Sequence, residues 1–294
     1  MNNVSVIIPN FNGQILLAAY LPTVDAALHS CPIIQQYEII IVDDASTDDS
    51  VAYIEQNWHT IRIIRNKQNR GFSCTVNRGI QQAKYELVCI LNTDMQLPTD
   101  YFTVLLPMVS QPNVFGVNCA IKDPKTSKIV EGRKQAIIRH HKLTYKDLLS
   151  EQEEGETMYL CGGNALICKE KLISLGGYDE LFSPFYFEDM DLSLRAKQQG
   201  WISLYTARTS CVHQHAATIG KTFTTEQVKE IFLRNRVYIN LRYLTGITRV
   251  LFLLSAYFHA LKEKVFRLPL SPYRKALFGW NARKNVERAI IPPQ

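Results

Sequence analysis

Along its first ninety residues the chain alternates short, wholly apolar runs with amphipathic stretches. The runs Val4–Ile8, Glu38–Val42, Ile61–Ile64 and Leu87–Leu91 read as strands, and the stretches between them are long enough for crossover helices. Repeated β-α-β of this kind predicts a parallel sheet with right-handed connections, buried on both faces. After Pro98 the alternation breaks. Val114–Ile121 and Lys128–Val130 are expected to be strands joined at Asp123-Pro124, while residues 131–156 are polar, lack a clear period and carry Glu151, Glu153, Glu154 and Glu156. Such a stretch predicts a mobile functional loop or solvated surface. Order resumes with a strand after Gly162-Gly163, a helix near Glu170–Ser174, a helix over Glu188–Gln199 stopped by Gly200, and a strand at Ile202–Tyr205. From Thr224 onward the pattern is helical.

Composition changes this picture little. With 46% hydrophobic and 20% charged residues over 294 positions, the chain can bury a sizeable core. Seven scattered cysteines with no CxxC pair suggest small core residues in a reducing compartment. The N-terminus enters Val4-Ser5-Val6-Ile7-Ile8-Pro9 without the basic flank of a secretory signal, so a cytoplasmic protein is expected.

Charge changes it more. From Lys229 onward there are thirteen Lys or Arg against three Glu, so the net charge of +6 is a property of the tail. Residues 1–222 and 223–294 are therefore expected to be different kinds of domain. Ile231–Leu261 mixes apolar residues with Arg234, Arg236, Arg242 and Arg249. Its longest uncharged run, Val250–Leu261, is twelve residues, whereas a spanning helix needs about twenty. A basic amphipathic helix suits an anionic membrane surface, and packing on the first domain or on a second copy is the alternative. No nucleic-acid motif accompanies the charge.

Candidate chemistry gathers where strands end, the usual ligand site of an open α/β sheet. Leu87–Leu91 delivers Asn92-Thr93-Asp94, where Asp94 is placed either to hold a divalent cation against phosphates or to cap the helix near Pro98. The second strand ends in Asp43-Asp44, with Ser46 or Thr47 suited to a helix start. The first strand ends in Pro9-Asn10-Phe11-Asn12-Gly13, which could wall the same crevice. Arg70 and Gly71 precede a helix and suit phosphate, or an ordinary turn. Glu188, Asp189 and Asp191 crowd three acids into four residues within an aromatic surround. Their mutual repulsion raises at least one pKa, a cost that a purely structural helix start avoids. Val212-His213-Gln214-His215 adds two histidines, ligands or surface residues, whereas His140 and His141 have no acidic context. GxxxxGK[ST] and GxGxxG are both missing, against P-loop and dinucleotide readings.

Taken in order, Val4–Asn12, Val42–Asp48, Asn69–Phe72, Asn92–Asp94, Gly162–Ala165, Phe187–Arg195 and Val212-His213 resemble the family 2 glycosyltransferases, including rhamnosyltransferase-like members. The resemblance implies the GT-A fold, a Rossmann-like, mostly parallel sheet flanked by helices, here with a basic C-terminal helical extension. It also implies inverting transfer of a sugar from a nucleotide diphosphate sugar to a hydroxyl acceptor, such as a lipid-linked glycan or cell-envelope polysaccharide precursor. Pro9 and Phe11 would line the base pocket, Asp44 would bind the base and Asp43 would support that loop. Arg70, Gly71, Asn92 and Gly163 would complete the donor site, with Asp94 and His213 on Mg²⁺ or Mn²⁺. Asp189 would be the base, with Glu188 and Asp191 shaping its pKa and binding sugar or acceptor. Asn92 replaces a carboxylate found in many relatives, and His215 competes with His213. A lipid-linked acceptor would place the enzyme peripherally at the inner face of the cell membrane. The competing readings are a sugar nucleotidyltransferase, which normally needs a basic Gly-rich loop after the first strand, and a non-catalytic sugar-nucleotide-binding module.

Overall fold

The computed structural model describes residues 2–214 and 222–265, with 273, 276, 277, 279 and 280. His215 and residues 281–294 lie outside the described residues. The chain divides into two compact units, residues 1–135 with 146–222, and residues 136–145 with 223–294.

The first unit is built on a mixed sheet. Strands β1 (Asn3–Asn10), β2 (Gln36–Asp43), β3 (Arg62–Arg65) and β4 (Leu87–Leu91) alternate with helices α1 (Gln14–His29), α2 (Ser50–Asn57) and α3 (Phe72–Gln82). They pair in parallel in the order β3-β2-β1-β4. Beyond β4 the sheet continues with β11 (Asn164–Cys168), β6 (Val114–Lys122), β12 (Ile202–His213) and β10 (Glu154–Thr157). Strand β11 runs antiparallel to both its neighbours, while β12 lies parallel to β6. Two short strands, β5 (Met95–Gln96) and β7 (Ile129–Glu131), pair with β12 and β6.

Alternation along the strands divides the core. Val4, Val6, Ile8, Cys89 and Leu91 face one layer with Leu17, Leu21 and Val24 of α1 and Phe102 and Leu105 of α4 (Tyr101–Val109). Ile7, Ile40, Val42, Val88 and Ile90 face the other, with Val76 and Ile80 of α3, Leu172 of α5 (Lys169–Ser174) and Leu192 and Ala196 of α6 (Glu188–Gln198). Burial on both faces explains the continuous apolar runs.

Residues 131–156 are ordered rather than a loop. They form a separate two-stranded hairpin, β8 (Arg133–Arg139) and β9 (Lys142–Leu148), followed by β10. The hairpin turns on His140 and His141, both with positive φ (49° and 60°), the backbone of the tight turns that match strand twist. Its strands expose residues on both faces, so no apolar alternation marks them.

The second unit groups the hairpin tip with α7 (Thr225–Tyr243) and α8 (Gly246–Val265). Helix α7 starts at a capping box, with Thr224 and Gln227 each bonding the other's backbone N–H. The buried Asn240 side chain on α7 accepts from Leu143 N at 2.7 Å and donates to Arg236 O at 2.7 Å. Among the described residues no helix is long and apolar enough to cross a membrane.

Candidate active site

Parallel strands place their C-terminal ends along one rim of the sheet, and the strand-end acids are bound into the loops there. Asp43 is buried. It accepts from Asn10 Nδ2 at 2.9 Å and from Ser46 N at 3.1 Å, joining the ends of β1 and β2. Asn12, at φ 52°, laces the same loops, accepting from Thr47 N at 2.7 Å while its own N–H donates to Ser46 Oγ at 2.9 Å. Pro9 and Phe11 are half-buried at this rim.

Asp44 points the other way. Its buried carboxylate accepts from Asn66 Nδ2 (2.7 Å), Arg70 N (3.0 Å) and Gly71 N (2.9 Å), fixing the loop before α3. Loop support, assigned to Asp43 on sequence grounds, is thus carried by both aspartates. The Arg70 side chain is exposed and lies 3.4 Å from Glu180. Gly71 has φ 80°, and a Cβ there would stand 2.7 Å from Pro184 Cα, so only glycine fits. Asn66 has no sequence signal, yet it links Asp44 with Thr75 and Arg78.

Asp94 follows β4 by three residues and meets the end of β12. His213 Nε2 lies 3.0 Å from Asp94 Oδ1, and Gln214 N donates to Asp94 O at 3.2 Å. Burial alone would press the imidazole toward neutrality, but its hydrogen bond to Asp94 and that carboxylate's charge outweigh this and raise its pKa. Two ligands about 2.1 Å from an octahedral cation stand about 3.0 Å apart, so the oxygen and nitrogen fit a shared Mg²⁺ or Mn²⁺. Among the described residues no group of three His, Cys, Asp or Glu could hold a metal, and His215 lies outside them.

The Gly162-Gly163 turn joins the segment Asn92–Asp94 to the downstream acids. Asn92 N donates to Gly163 O at 3.1 Å, and a Cβ at Gly163 would stand 2.4 Å from Asn92 Nδ2. One residue earlier, Gly162 N donates to Asp189 Oδ2 at 3.3 Å.

Helix α6 begins after Tyr186 and Phe187, which adopt φ 76° and 74°. Left-handed backbone at two successive aromatic residues is strain of the kind that collects at functional sites. Asp189 is half-buried, and burial pushes its pKa up to about 6 against the opposing bonds from Met190 N and Gly162 N. Glu188 is buried, and its Oε2 has no hydrogen-bond partner. Burial first, then the charge of Asp189, holds the Glu188 pKa well above the carboxylate range.

Asp191 departs from expectation. It is fully buried and accepts from Arg195 Nε at 2.8 Å, while Arg195 also donates to Leu175 O and Gly177 O. With no surface to offer a sugar, Asp191 braces α6 instead. Near Asp189 and His213 lies a charged group that sequence reading missed. Glu131 raises both their pKa values, and the buried Lys134 bonds Asp147 and lies 3.7 Å from Glu131.

Residues 5–176 match the family described as Glycosyl transferase family 2. The N-acetylglucosaminyl-diphospho-decaprenol L-rhamnosyltransferase of Mycobacterium tuberculosis is 25% identical over 210 residues, covering 62% of this chain and 68% of that protein. The GalNAc(5)-diNAcBac-PP-undecaprenol beta-1,3-glucosyltransferase of Campylobacter jejuni is 26% identical over 251 residues, covering 83% and 72%. Among solved structures, GalNAc-T7 with UDP, GalNAc and Mn²⁺ superposes with a TM-score of 0.66 at 17% identity, over 96% of this chain and 55% of that one. The mannosyltransferase PcManGT from Pyrobaculum calidifontis, with GDP-Man and Mn²⁺, gives 0.58 at 17% identity, over 95% and 75%. The likeness to these structures shows a shared fold.

Proposed function

The chain belongs to glycosyl transferase family 2, and on that footing we propose that it moves a sugar from a nucleotide diphosphate sugar to a hydroxyl of a lipid-linked acceptor, with inversion. Both relatives above carry a polyprenol diphosphate in their names, which supports a lipid-linked acceptor in cell-envelope synthesis. An enzyme with such an acceptor works at a membrane surface, in keeping with the basic charge of the tail.

In this reading the donor lies along the rim of the parallel strands. Pro9 and Phe11 flank the base, and Asp43 and Asp44 hold the two loops that shape its pocket. Gly71 lets backbone approach the donor closely, and Arg70 lends positive charge beside it. Asn92 and Gly163 fix the floor between donor and acceptor. Asp94 and His213 would hold Mg²⁺ or Mn²⁺, whose charge offsets that developing on the leaving diphosphate.

Asp189 takes the proton from the attacking hydroxyl. A carboxylate with a pKa of about 6 is ionised at neutral pH yet more basic than an ordinary one, as a general base requires. Glu188, buried beside Asp189 with no partner for Oε2, shapes the base's surroundings. With Asp189 as base and no separate nucleophile, a single displacement with attack opposite the leaving diphosphate inverts the anomeric carbon. The observation that carries this reading is the Gly162-Gly163 turn, bonded to Asp189 on one side and Asn92 on the other.

The test is Asp189→Asn with a panel of sugar nucleotides, Mn²⁺ and membrane lipid as acceptor source. Transfer should fall by about 10³-fold, with donor affinity by calorimetry unchanged. Retained turnover would remove Asp189 from the mechanism. Equal donor affinity with and without Mn²⁺ in the parent protein would remove the metal.

A further inference from the structure

Helix α8 is amphipathic in an unusual sense, because its apolar stripe faces outward. Ile247, Val250, Leu254, Tyr257, Phe258 and Leu261 are all exposed, from 50% at Val250 to 70% at Ile247. Their spacing of three, four, three, one and three residues keeps them within one narrow strip of the helix surface, about 100° wide at 100° per residue. The opposite side carries Phe252, Ala256 and Ala260, all buried. The helix therefore has two apolar faces, and only one is used in folding. Soluble proteins scatter single exposed hydrophobics freely, but six in register on one helix mark a contact surface.

Charge selects what it contacts. Residues 136–145 and 223–294, the second unit, hold fifteen Lys or Arg against four Glu and no Asp. A second copy docking through this stripe would bring an equal positive charge against it, and capture by an acidic protein groove instead of a bilayer would show as no vesicle binding. An anionic bilayer offers both complements, acyl chains for the stripe and headgroups for the net positive charge of the unit. We propose that α8 lies in the plane of an anionic membrane with Ile247, Val250, Leu254, Tyr257, Phe258 and Leu261 inserted below the headgroups, so that the second unit is an interfacial anchor and not merely an electrostatic adhesive. The proposal takes its biological sense from the lipid-linked acceptor reading, but the two fail separately, since anchoring needs no sugar nucleotide.

Full-length protein is sedimented with vesicles of phosphatidylcholine alone and of phosphatidylcholine mixed with phosphatidylglycerol, in low and high salt. Binding should require phosphatidylglycerol and should persist in part at high salt, because salt screens charge but not insertion. Leu254→Asp and Phe258→Asp should each lower the partition coefficient by about tenfold or more, while Leu254→Ile and Phe258→Leu retain it. Unchanged melting of the Asp variants would establish that they are folded. A partition unaffected by the two Asp changes would overturn the insertion. So would a dimer in sedimentation velocity that they dissolve, without vesicle binding. Transfer activity in a chain that binds no vesicles would overturn the anchor and spare the enzyme, whereas vesicle binding by a chain without transfer activity would do the reverse.

Discussion

The two units treat polar and apolar groups in opposite ways. In the first, carboxylates are drawn inside. Asp43, Asp44, Asp94, Glu188 and Asp191 are all buried; Asp43, Asp44 and Asp94 are bonded by groups from distant parts of the chain, and Asp191 by Arg195 one helical turn on. In the second, large apolar side chains are left outside along α8. Each arrangement costs stability and is retained only where something else gains. The first unit gains a charged site with fixed geometry. The second keeps an exposed apolar stripe, which we propose inserts into a membrane. Their charges follow suit, since the first unit carries eighteen Lys or Arg against twenty-three acids and the second is strongly basic.

The largest test of that contrast is Asp44→Ala. It leaves the N–H groups of Arg70, Gly71 and Asn66 without their shared acceptor, at about 1–3 kcal/mol for each donor that water cannot reach. We expect the melting temperature to fall by at least about 6 °C and donor affinity to fall with it. Calorimetry of both transitions checks this. A melting temperature within a degree of the parent would mean that Gly71 against Pro184 holds the loop without the carboxylate.

Next in size is the pH dependence of transfer. As the proposed base, Asp189 would act only when ionised, and its raised pKa places that ionisation at about 6. Below this value kcat/KM should fall about tenfold per pH unit, and above it the profile should flatten. Burial and the charge of Asp189 also hold the Glu188 pKa well above the carboxylate range, so the two acids titrate as a coupled pair. A profile that instead breaks at an ordinary carboxylate value near pH 4 would separate the base from the buried environment described here.

How much of this the sequence made legible follows the same division. Strands buried on both faces announce themselves, because every position must be apolar, and β1, β2 and β4 were readable for that reason. The hairpin β8–β9 was not, since its strands expose residues on both faces and its turn uses His140 and His141 where glycine or asparagine would have been the signal. At the site, acids at strand ends were visible as candidates, but their partners were not. The Asp191–Arg195 pair was legible from its i,i+4 spacing, but not that burial would take Asp191 wholly out of the site. Lys134 and Asn66 sit in polar surroundings that give no hint of their burial. Burial of the tail's apolar residues was equally hidden, because only the fold decides which of α8's two apolar faces is covered.

The smallest predicted effect bears most directly on the contrast. Glu188 is buried without a partner for Oε2, and its folded pKa lies well above its unfolded value. A raised carboxyl pKa gives stability that is fully present below the unfolded value near 4.3 and is lost as pH rises toward the folded value. Glu188→Gln keeps the shape and removes the ionisation, so it should melt with the parent near pH 4 and progressively above it toward pH 8, by about 2–4 °C. Scanning calorimetry across that range reads the divergence directly. In the second unit the counterpart is Leu254→Ser, which removes an already exposed side chain and should shift melting by less than a degree at any pH, since surface changes are usually within about 0.5 kcal/mol. If Glu188→Gln instead destabilised at pH 8, its carboxylate would have a stabilising partner inside the folded protein, and the first unit's cost would not lie in that acid.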